Sequence, residues 1–315
     1  MKDFSKIDMR DAFFDELYNI ASKDKDVILM TADADAFSLH KYKKDFPKQY
    51  INTGVSEQSM ITAAAGLALS GKKVFIYALI PFIAMRCYEQ IKVNICSMNL
   101  PITIIGGGAG FSFGYDGPTH HAVCDIAIMR TLPELEIINV SDARLAYASA
   151  YRAYKSKTPM YIRLDKGKPP IIHKEHVARD LEFKAGFTFV RGGYDACIIS
   201  TGIMVQRAEE VAEELAKYNV AIGVIDLYRI KPFDRERLVL ELGAYHKLVT
   251  LEENTTIGGV GSIVSEIITD YGLIVPLKRI ALKDEQTFYY GDRDFLHKKY
   301  NIDKESIFKE VLDWI

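Results

Sequence analysis

Two loops of this 315-residue chain carry acidic and histidine side chains at positions where α/β proteins commonly hold ligands. The first loop, residues 52–58, contains Glu57 and leads into a helix of small apolar residues, 63–68. A glutamate in a first helical turn can simply complement the helix dipole. Because this helix is so poor in polar groups, we expect it to be buried, and a carboxylate left there needs a specific hydrogen-bond donor.

The second loop, residues 106–121, is rich in glycine and contains Asp116, His120 and His121. It does not fit the dinucleotide pattern G-x-G-x-x-G, because Phe111 stands where the last glycine should be. Adjacent histidines rarely converge on one ion, and no acidic cluster completes a site, so we predict no metal ligands in this chain.

The elements that must position these loops alternate between short apolar runs and helical periodicity, which is typical of βαβ units on a parallel sheet. We predict strands at 27–31, 73–77, 102–105, 136–140 and 160–164, and helices at 9–21, 57–70, 86–98 and 143–155.

A break at 165–170 and a charged stretch at 174–184 separate this part from a second α/β alternation between 196 and 270. We therefore predict two doubly wound α/β domains. Their expected bounds are residues 1–168, a linker at 169–192, and a smaller domain at 193–315.

Composition excludes several classes of protein. The net charge of −2 without a basic block gives no footprint for nucleic acid. The sequence has no apolar run of roughly 20 residues for a membrane span, and the acid-containing N-terminus does not resemble a signal or transit peptide. Four cysteines without a C-x-x-C pair fit a reducing compartment, so we expect a cytoplasmic protein.

Both loops resemble motifs of the transketolase family of thiamine diphosphate enzymes. Residues 54–58, Gly-Val-Ser-Glu-Gln, are similar to the family motif G-[VI]-x-E-x, and residues 116–120 are similar to D-G-P-T-H. The resemblance continues through residues 132–133, 141–142, 162–163, 251–255 and 258–261, and so covers nearly the whole chain.

The resemblance implies the pyrimidine-binding and C-terminal domains of such an enzyme, without the diphosphate-binding domain. That domain's signature, G-D-G followed by a downstream Asn, is not found; Gly291-Asp292-Arg293 lacks the second glycine. The implied ligands of Mg²⁺ (or Ca²⁺) would then come from a partner, an N-terminal diphosphate-binding transketolase subunit. The expected assembly is a heterotetramer with two copies of each subunit.

The resemblance also implies which residues would bind thiamine diphosphate. Glu57 would share a proton with N1′ of the aminopyrimidine. Phe82 would supply the aromatic wall for that ring, with Tyr77 as an alternative and core packing as the other interpretation of Phe82. Asp33 matches a family acid beside the cofactor, although Asp35 is near enough in the sequence to compete.

For the substrate, the resemblance assigns Asp116 to a hydroxyl and His120 to the substrate oxygens and proton transfer. His121 would affect acceptor recognition or face away. Arg163 would hold a sugar phosphate, with an interdomain ion pair as the alternative. Gly108 stands where transketolases have a second histidine, so backbone amides there could approach an anion, or the glycines could make room for a larger or unphosphorylated substrate.

The resulting expectation is the C-terminal subunit of a split transketolase-like enzyme that moves a two-carbon ketol unit between sugars or sugar phosphates. The alternatives are the β subunit of a 2-oxo acid dehydrogenase, a deoxyxylulose phosphate synthase-like condensing enzyme, and an inactive regulatory or interaction subunit of the same fold. The Asp and Thr of the D-G-P-T-H loop favour the sugar enzymes over the dehydrogenase.

Overall fold

The computed structural model describes residues 2–173 and 180–315, which fold into two compact units. The first unit comprises Met1–Ala109 and Ile128–Ile171, and the second comprises Gly110–Ala127 and Ile172–Ile315. The loop that contains Asp116, His120 and His121 therefore groups with the second unit. The predicted boundaries at 168 and 193 stay predictions, and residues 174–179 of the predicted linker lie outside the described residues.

The first unit is built on six parallel strands. They are β1 (Val27–Thr31), β2 (Tyr50–Asn52), β3 (Lys73–Leu79), β4 (Thr103–Gly107), β5 (Glu136–Asn139) and β6 (Met160–Leu164). Their order across the sheet is β5-β6-β4-β3-β1-β2. The central strands are largely apolar runs because helices cover both faces of the sheet.

The helices of this unit are α1 (Met9–Ala21), α2 (Phe37–Asp45), α3 (Glu57–Leu69), α4 (Tyr88–Gln90), α5 (Asp125–Arg130), in which the chain returns from the second unit, and α6 (Ala143–Lys155). Side chains of Asp8 and Asp142 cap α1 and α6 by accepting backbone N–H groups of their first turns. The predicted strands and three of the predicted helices are confirmed.

The predicted helix at 86–98 is replaced by a different arrangement. Two π-helical turns, Pro81–Met85 and Ile91–Cys96, flank the short α4. In the first, the N–H of Arg86 donates to the carbonyl of Pro81, and in the second, the N–H of Ser97 donates to the carbonyl of Lys92. Each such turn accommodates an extra residue, which shifts the helical phase of the side chains after it.

The second unit contains the remaining strands. They are β7 (Thr188–Arg191), β8 (Ala196–Ser200), β9 (Ile222–Asp226), β10 (Arg229–Lys231), β11 (Leu248–Thr255) and β12 (Leu277–Leu282). Five of them form a sheet in the order β12-β11-β8-β9-β7, parallel except for β7, which runs antiparallel to β9. The core of this unit includes the inward faces of the strands and of the flanking helices.

The helices of the second unit are α7 (Asp180–Ala185), α8 (Met204–Ala216), α9 (Arg235–Leu242), α10 (Val260–Asp270), α11 (Arg293–Lys299) and α12 (Lys304–Trp314). The prediction of two doubly wound α/β domains is confirmed. Among the described residues, no helix combines the length and apolar character needed to cross a membrane.

Candidate functional site

The predicted cofactor residues of the first unit follow the carboxyl ends of its parallel strands. The register places Thr31, the last residue of β1, level with Asn52 on one side and Tyr77 on the other. The loops after β1, β2 and β3 consequently leave the sheet at the same edge, which is where open parallel sheets bind ligands. Asp33, Glu57 and Phe82 belong to these loops or to the helices that begin there.

Glu57 is the first residue of α3, and 3% of it is exposed. Its carboxylate is bound by a cation from a distant part of the sequence, since Nη1 of Arg86 donates to Oε2 at 2.7 Å. The side chain of Arg86 is 44% exposed, so the cation lies closer to solvent than the carboxylate it contacts. Glu57 is thus buried with a specific donor, Arg86, as expected. The expectation that the whole helix is buried is wrong, because Ala63, Gly66 and Leu69 of α3 are exposed.

Phe82 lies in the π-helical turn and is half-buried. The guanidinium carbon of Arg86 stands 4.5 Å from the centroid of its ring. Arg86 therefore contacts both predicted cofactor residues at once, as an N–H donor to Glu57 and as a planar cation over Phe82. Sequence reasoning missed Arg86, because no local pattern connects it to Glu57, 29 residues away.

Tyr77, the alternative aromatic wall, is completely buried in β3. Its ring packs edge-to-face on Phe14 with centroids 4.9 Å apart, and burial raises the pKa of its hydroxyl. A Cβ added at Gly107 would come within 2.8 Å of that hydroxyl oxygen, so a glycine is needed there. The structure gives Tyr77 a core position, whereas Phe82 is only half-buried.

Asp33 and Asp35 differ in their partners. Asp35 accepts hydrogen bonds from His40 at 2.7 Å and Lys43 at 2.9 Å; burial acts to raise its pKa, but these contacts lower it overall. Asp33 is exposed with a left-handed φ of 54°, and its N–H donates to Oδ1 of Asn52 at 3.1 Å. The same Asn52 oxygen accepts the N–H of Gly54 at 3.0 Å, so Asn52 connects the loops after β1 and β2.

Arg163 lies near the end of β6 and is 3% exposed. Its Nη1 donates to Oδ1 of Asn139 at 3.4 Å. Close by in the sheet, the N–H groups of Gly108 and Ala109 both donate to the carbonyl of Leu164, at 2.9 and 3.3 Å. Those two amides are therefore engaged with the backbone, which does not favour anion binding by them. The interpretation that the glycines make room for substrate stays a prediction.

In the second unit, Asp116 and His120 occupy the outer part of loop 110–122. Asp116 ends a 3₁₀ turn, Gly114–Asp116, and is exposed. His120 is half-buried, and its Nδ1 lies 3.0 Å from the hydroxyl of Thr119. Gly117 between them has φ +77° and ψ −169°, a conformation that favours glycine, so the loop can turn there.

His121 is buried, with 3% of it exposed. Its Nδ1 lies 3.2 Å from the hydroxyl of Thr287, and its ring packs edge-to-face on Phe111. Burial lowers the pKa of this imidazole. Thr287 was not predicted, because no sequence pattern connects positions 166 residues apart.

No group of three or more His, Cys, Asp or Glu side chains suited to a metal ion occurs in residues 2–173 and 180–315.

The chain has two α/β units, and one of them carries a buried glutamate at the carboxyl edge of a parallel sheet. This arrangement is typical of α/β enzymes that bind a cofactor. The comparisons with known proteins make this specific. Residues 5–170 match the family model "Transketolase, pyrimidine binding domain", and residues 187–307 match "Transketolase, C-terminal domain". The chain belongs to the transketolase family, which depends on thiamine diphosphate.

Three relatives describe the extent of the similarity. The B subunit of apulose-4-phosphate transketolase from Phocaeicola vulgatus is 32% identical over 97% of this chain and 97% of its own length. The 1-deoxy-D-xylulose-5-phosphate synthase of Clostridium acetobutylicum is 31% identical over 93% of this chain but only 47% of its own length. A solved structure described as split gene transketolase, inactive beta4 tetramer, superposes with a TM-score of 0.84 at 30% identity, covering 98% of this chain and 97% of that one.

Proposed function

We propose that this chain is the C-terminal subunit of a split transketolase and transfers a two-carbon ketol unit between sugars or sugar phosphates together with a partner chain. The observation that carries the proposal is the match to the B subunit of a transketolase along 97% of both chains. Identity alone does not separate this relative from the synthase, since the values are 32% and 31%. The coverage supports a split organisation, because the chain spans 97% of the B subunit but only 47% of the synthase.

The residues of the first unit fit the pyrimidine part of thiamine diphosphate. Arg86 already shows that a flat group with N–H donors can contact the carboxylate of Glu57 and the ring of Phe82 simultaneously. An aminopyrimidine offers the same combination of a flat face and polar edge. Glu57 and Phe82 would hold this ring, with Asp33 beside it and Tyr77 supporting the strand from the core.

When bound, thiamine diphosphate would supply the carbanion chemistry that ketol transfer needs. Glu57 would hold a proton at a ring nitrogen of the pyrimidine, and its burial would make that hydrogen bond strong and its loss costly. His120 moves a proton at a substrate oxygen, which suits an imidazole near neutral pH. Asp116 accepts a substrate hydroxyl, and Arg163 is proposed to hold an anionic group of the substrate.

The partner is proposed to be a diphosphate-binding subunit that also supplies the ligands of Mg²⁺, in a heterotetramer with two copies of each chain. Helix α3 offers a surface for it. The side of α3 opposite the core exposes small side chains around a shallow depression lined by Gln58, Ser59, Thr62, Ala63 and Gln90. Small side chains allow another chain to approach the helix closely, so α3 is our candidate contact. We also propose a cytoplasmic location for the protein.

The test is recovery of the tagged chain from its native cell and identification of whatever co-purifies in near-equal amount. We expect a chain with G-D-G and a downstream Asn, and thiamine diphosphate- and Mg²⁺-dependent ketol transfer by the complex with a ketose or ketose phosphate as donor. Turnover with pyruvate as sole donor would instead support the synthase or dehydrogenase alternatives. A chain that emerges alone, or a complex inactive with every donor, would contradict the proposal.

A further inference from the structure

Loop 110–122 is closed at its base within the second unit. The N–H of Gly110 donates to the carbonyl of Ala122 at 3.1 Å, and the N–H of Ala122 donates back to the carbonyl of Gly110 at 2.9 Å. Phe111, 1% exposed, is part of the hydrophobic core of that unit and stacks on Tyr300 with ring centroids 5.6 Å apart. The loop therefore starts and ends on the core of the C-terminal unit.

A buried carboxylate fixes the base of the loop. Glu253, near the end of β11, receives hydrogen bonds from Nε and Nη2 of Arg293, both at 3.0 Å, and its Oε1 lies 2.5 Å from Nε2 of His297. A Cβ at Gly110 would overlap Oε2 of Glu253, and Gly110 has φ +56°. Only glycine fits this contact, so the loop and the Glu253 cluster are packed directly on each other.

Residues 287–291 of the second unit also contact the loop. Gly291 donates its N–H to the carbonyl of Gly114 at 3.1 Å, two residues before Asp116. The hydroxyl of Thr287 lies 3.2 Å from Nδ1 of His121, the residue after His120. Residues 287–291 thus hold the loop on both sides of the stretch that carries the two proposed substrate residues.

Glu252, the residue before Glu253, has a different role. Oε2 and Oε1 of Glu252 accept the N–H groups of Val260 and Gly261 at 2.8 and 2.7 Å, so this carboxylate caps α10. Glu252 fixes a helix of the unit, whereas Glu253 faces the loop. Two adjacent carboxylates of β11 therefore contact different parts of the second unit: Glu252 contacts α10, and Glu253 contacts loop 110–122.

We propose that the Thr287 hydroxyl is a positioning group for substrate recognition, which acts by fixing His121 and through it the orientation of His120 and Asp116. This rests on the proposed function, since it assumes that His120 and Asp116 contact the sugar. It assigns the C-terminal unit a part in substrate recognition.

The experiment compares Thr287→Val, which keeps the shape and removes the hydroxyl, with Thr287→Ser, which keeps the hydroxyl. Thr269→Val is the matched control, because the hydroxyl of that exposed threonine donates to the carbonyl of Ser265 within α10. In the reconstituted complex, we expect Thr287→Val to raise KM for the sugar roughly tenfold. Thiamine diphosphate affinity and assembly should stay within about twofold, and Thr287→Ser and Thr269→Val should resemble the unsubstituted complex.

A second measurement needs neither partner nor activity. Hydrogen exchange of the isolated chain should become faster in residues 111–121 of Thr287→Val, and remain unchanged in the β-strands of both units. Unchanged exchange in that loop, or a fall in cofactor affinity that parallels the rise in KM, would overturn the proposal. Failure of the proposed function looks different, because the unsubstituted complex itself would then show no ketol transfer while the exchange result would still stand.

Discussion

At the scale of single residues, Glu57 is a buried carboxylate held by a cation that is itself partly exposed. A carboxylate that is 3% exposed, with Arg86 at 2.7 Å, needs that donor or a replacement for it. Removing the partner of a buried charge leaves that charge unsatisfied, which is more costly than breaking an exposed pair. The burial and the need for a donor could be predicted from the apolar helix that follows; the identity of the donor could not, since it depends on the π-helical turn.

Glu57→Gln tests the proposed proton-sharing role. The amide has nearly the shape of the carboxylate, so we expect the fold to be kept while turnover of the complex falls at least about a hundredfold. Glu89→Gln, an exposed change of the same kind in α4, is the control and should be nearly neutral. Steady-state assay and thermal unfolding of both variants make the comparison. Near-normal turnover of Glu57→Gln would remove the central role of this residue.

Arg163→Gln tests whether this buried guanidinium binds a phosphate. If it does, KM for a phosphorylated donor should rise roughly tenfold, whereas KM for the corresponding unphosphorylated sugar should barely change. Lys168→Gln, an exposed neighbour in the sequence, controls for the loss of one positive charge. Equal effects on both sugars, accompanied by a lower melting temperature, would instead assign Arg163 to the hydrogen bond with Asn139.

At the scale of elements, sequence periodicity predicted what local rules determine. The strands are short apolar runs, and α1 and α6 are capped by aspartates, so both classes of element are visible in the chain itself. The π-helical turn Pro81–Met85 is a phase change within an apolar stretch, which periodicity cannot register. The packing of Gly110 on Glu253 joins residues far apart in sequence, and for that reason no local pattern indicates which unit the loop groups with.

Helix α12 provides a prediction of pH dependence. Asp303 accepts N–H groups of Glu305 and Ser306 and the hydroxyl of Ser306; burial acts to raise its pKa, but these hydrogen bonds lower it overall below 3.8. A depressed carboxyl pKa stabilises the folded state above the unfolded pKa, and this contribution is lost as pH falls. Asp303→Ala should therefore lower the free energy of unfolding by about 1 kcal/mol near pH 6.

The difference in free energy of unfolding between Asp303→Ala and the unsubstituted protein should shrink as the pH is lowered through and below 3.8. Urea unfolding of the two proteins at a series of pH values measures it. Asp313→Ala, an exposed acid in the last turn of the same helix, should show no comparable loss near pH 6. A cost for Asp303→Ala that is the same at every pH would mean that the carboxylate charge does not contribute to the cap.

At the scale of the whole molecule, the two family domains account for the cofactor and substrate residues but leave the magnesium site to another chain in our proposal. Such a protein must present a surface on which a partner can complete the site. Helix α3 begins with Glu57 and exposes Ala63 and Gly66 on the side away from the core. Exposed Val55 and Leu69 lie at its two ends, at 74% and 62%. A face of small side chains with exposed apolar residues at both ends, beside the carboxylate proposed to bind the cofactor, is an expected place for association.

Ala63→Arg tests this surface. A large cation on the small-residue face should obstruct close approach, so we expect the dissociation constant of the complex to rise at least about a hundredfold. The melting temperature of the isolated chain should not change, because Ala63 is exposed there. Ala216→Arg places the same side chain on an exposed position of α8 and should leave assembly intact. Because the partner is proposed to hold the diphosphate, binding of thiamine diphosphate should fall together with assembly; cofactor binding that survives dissociation would show that this chain forms the cofactor site unaided.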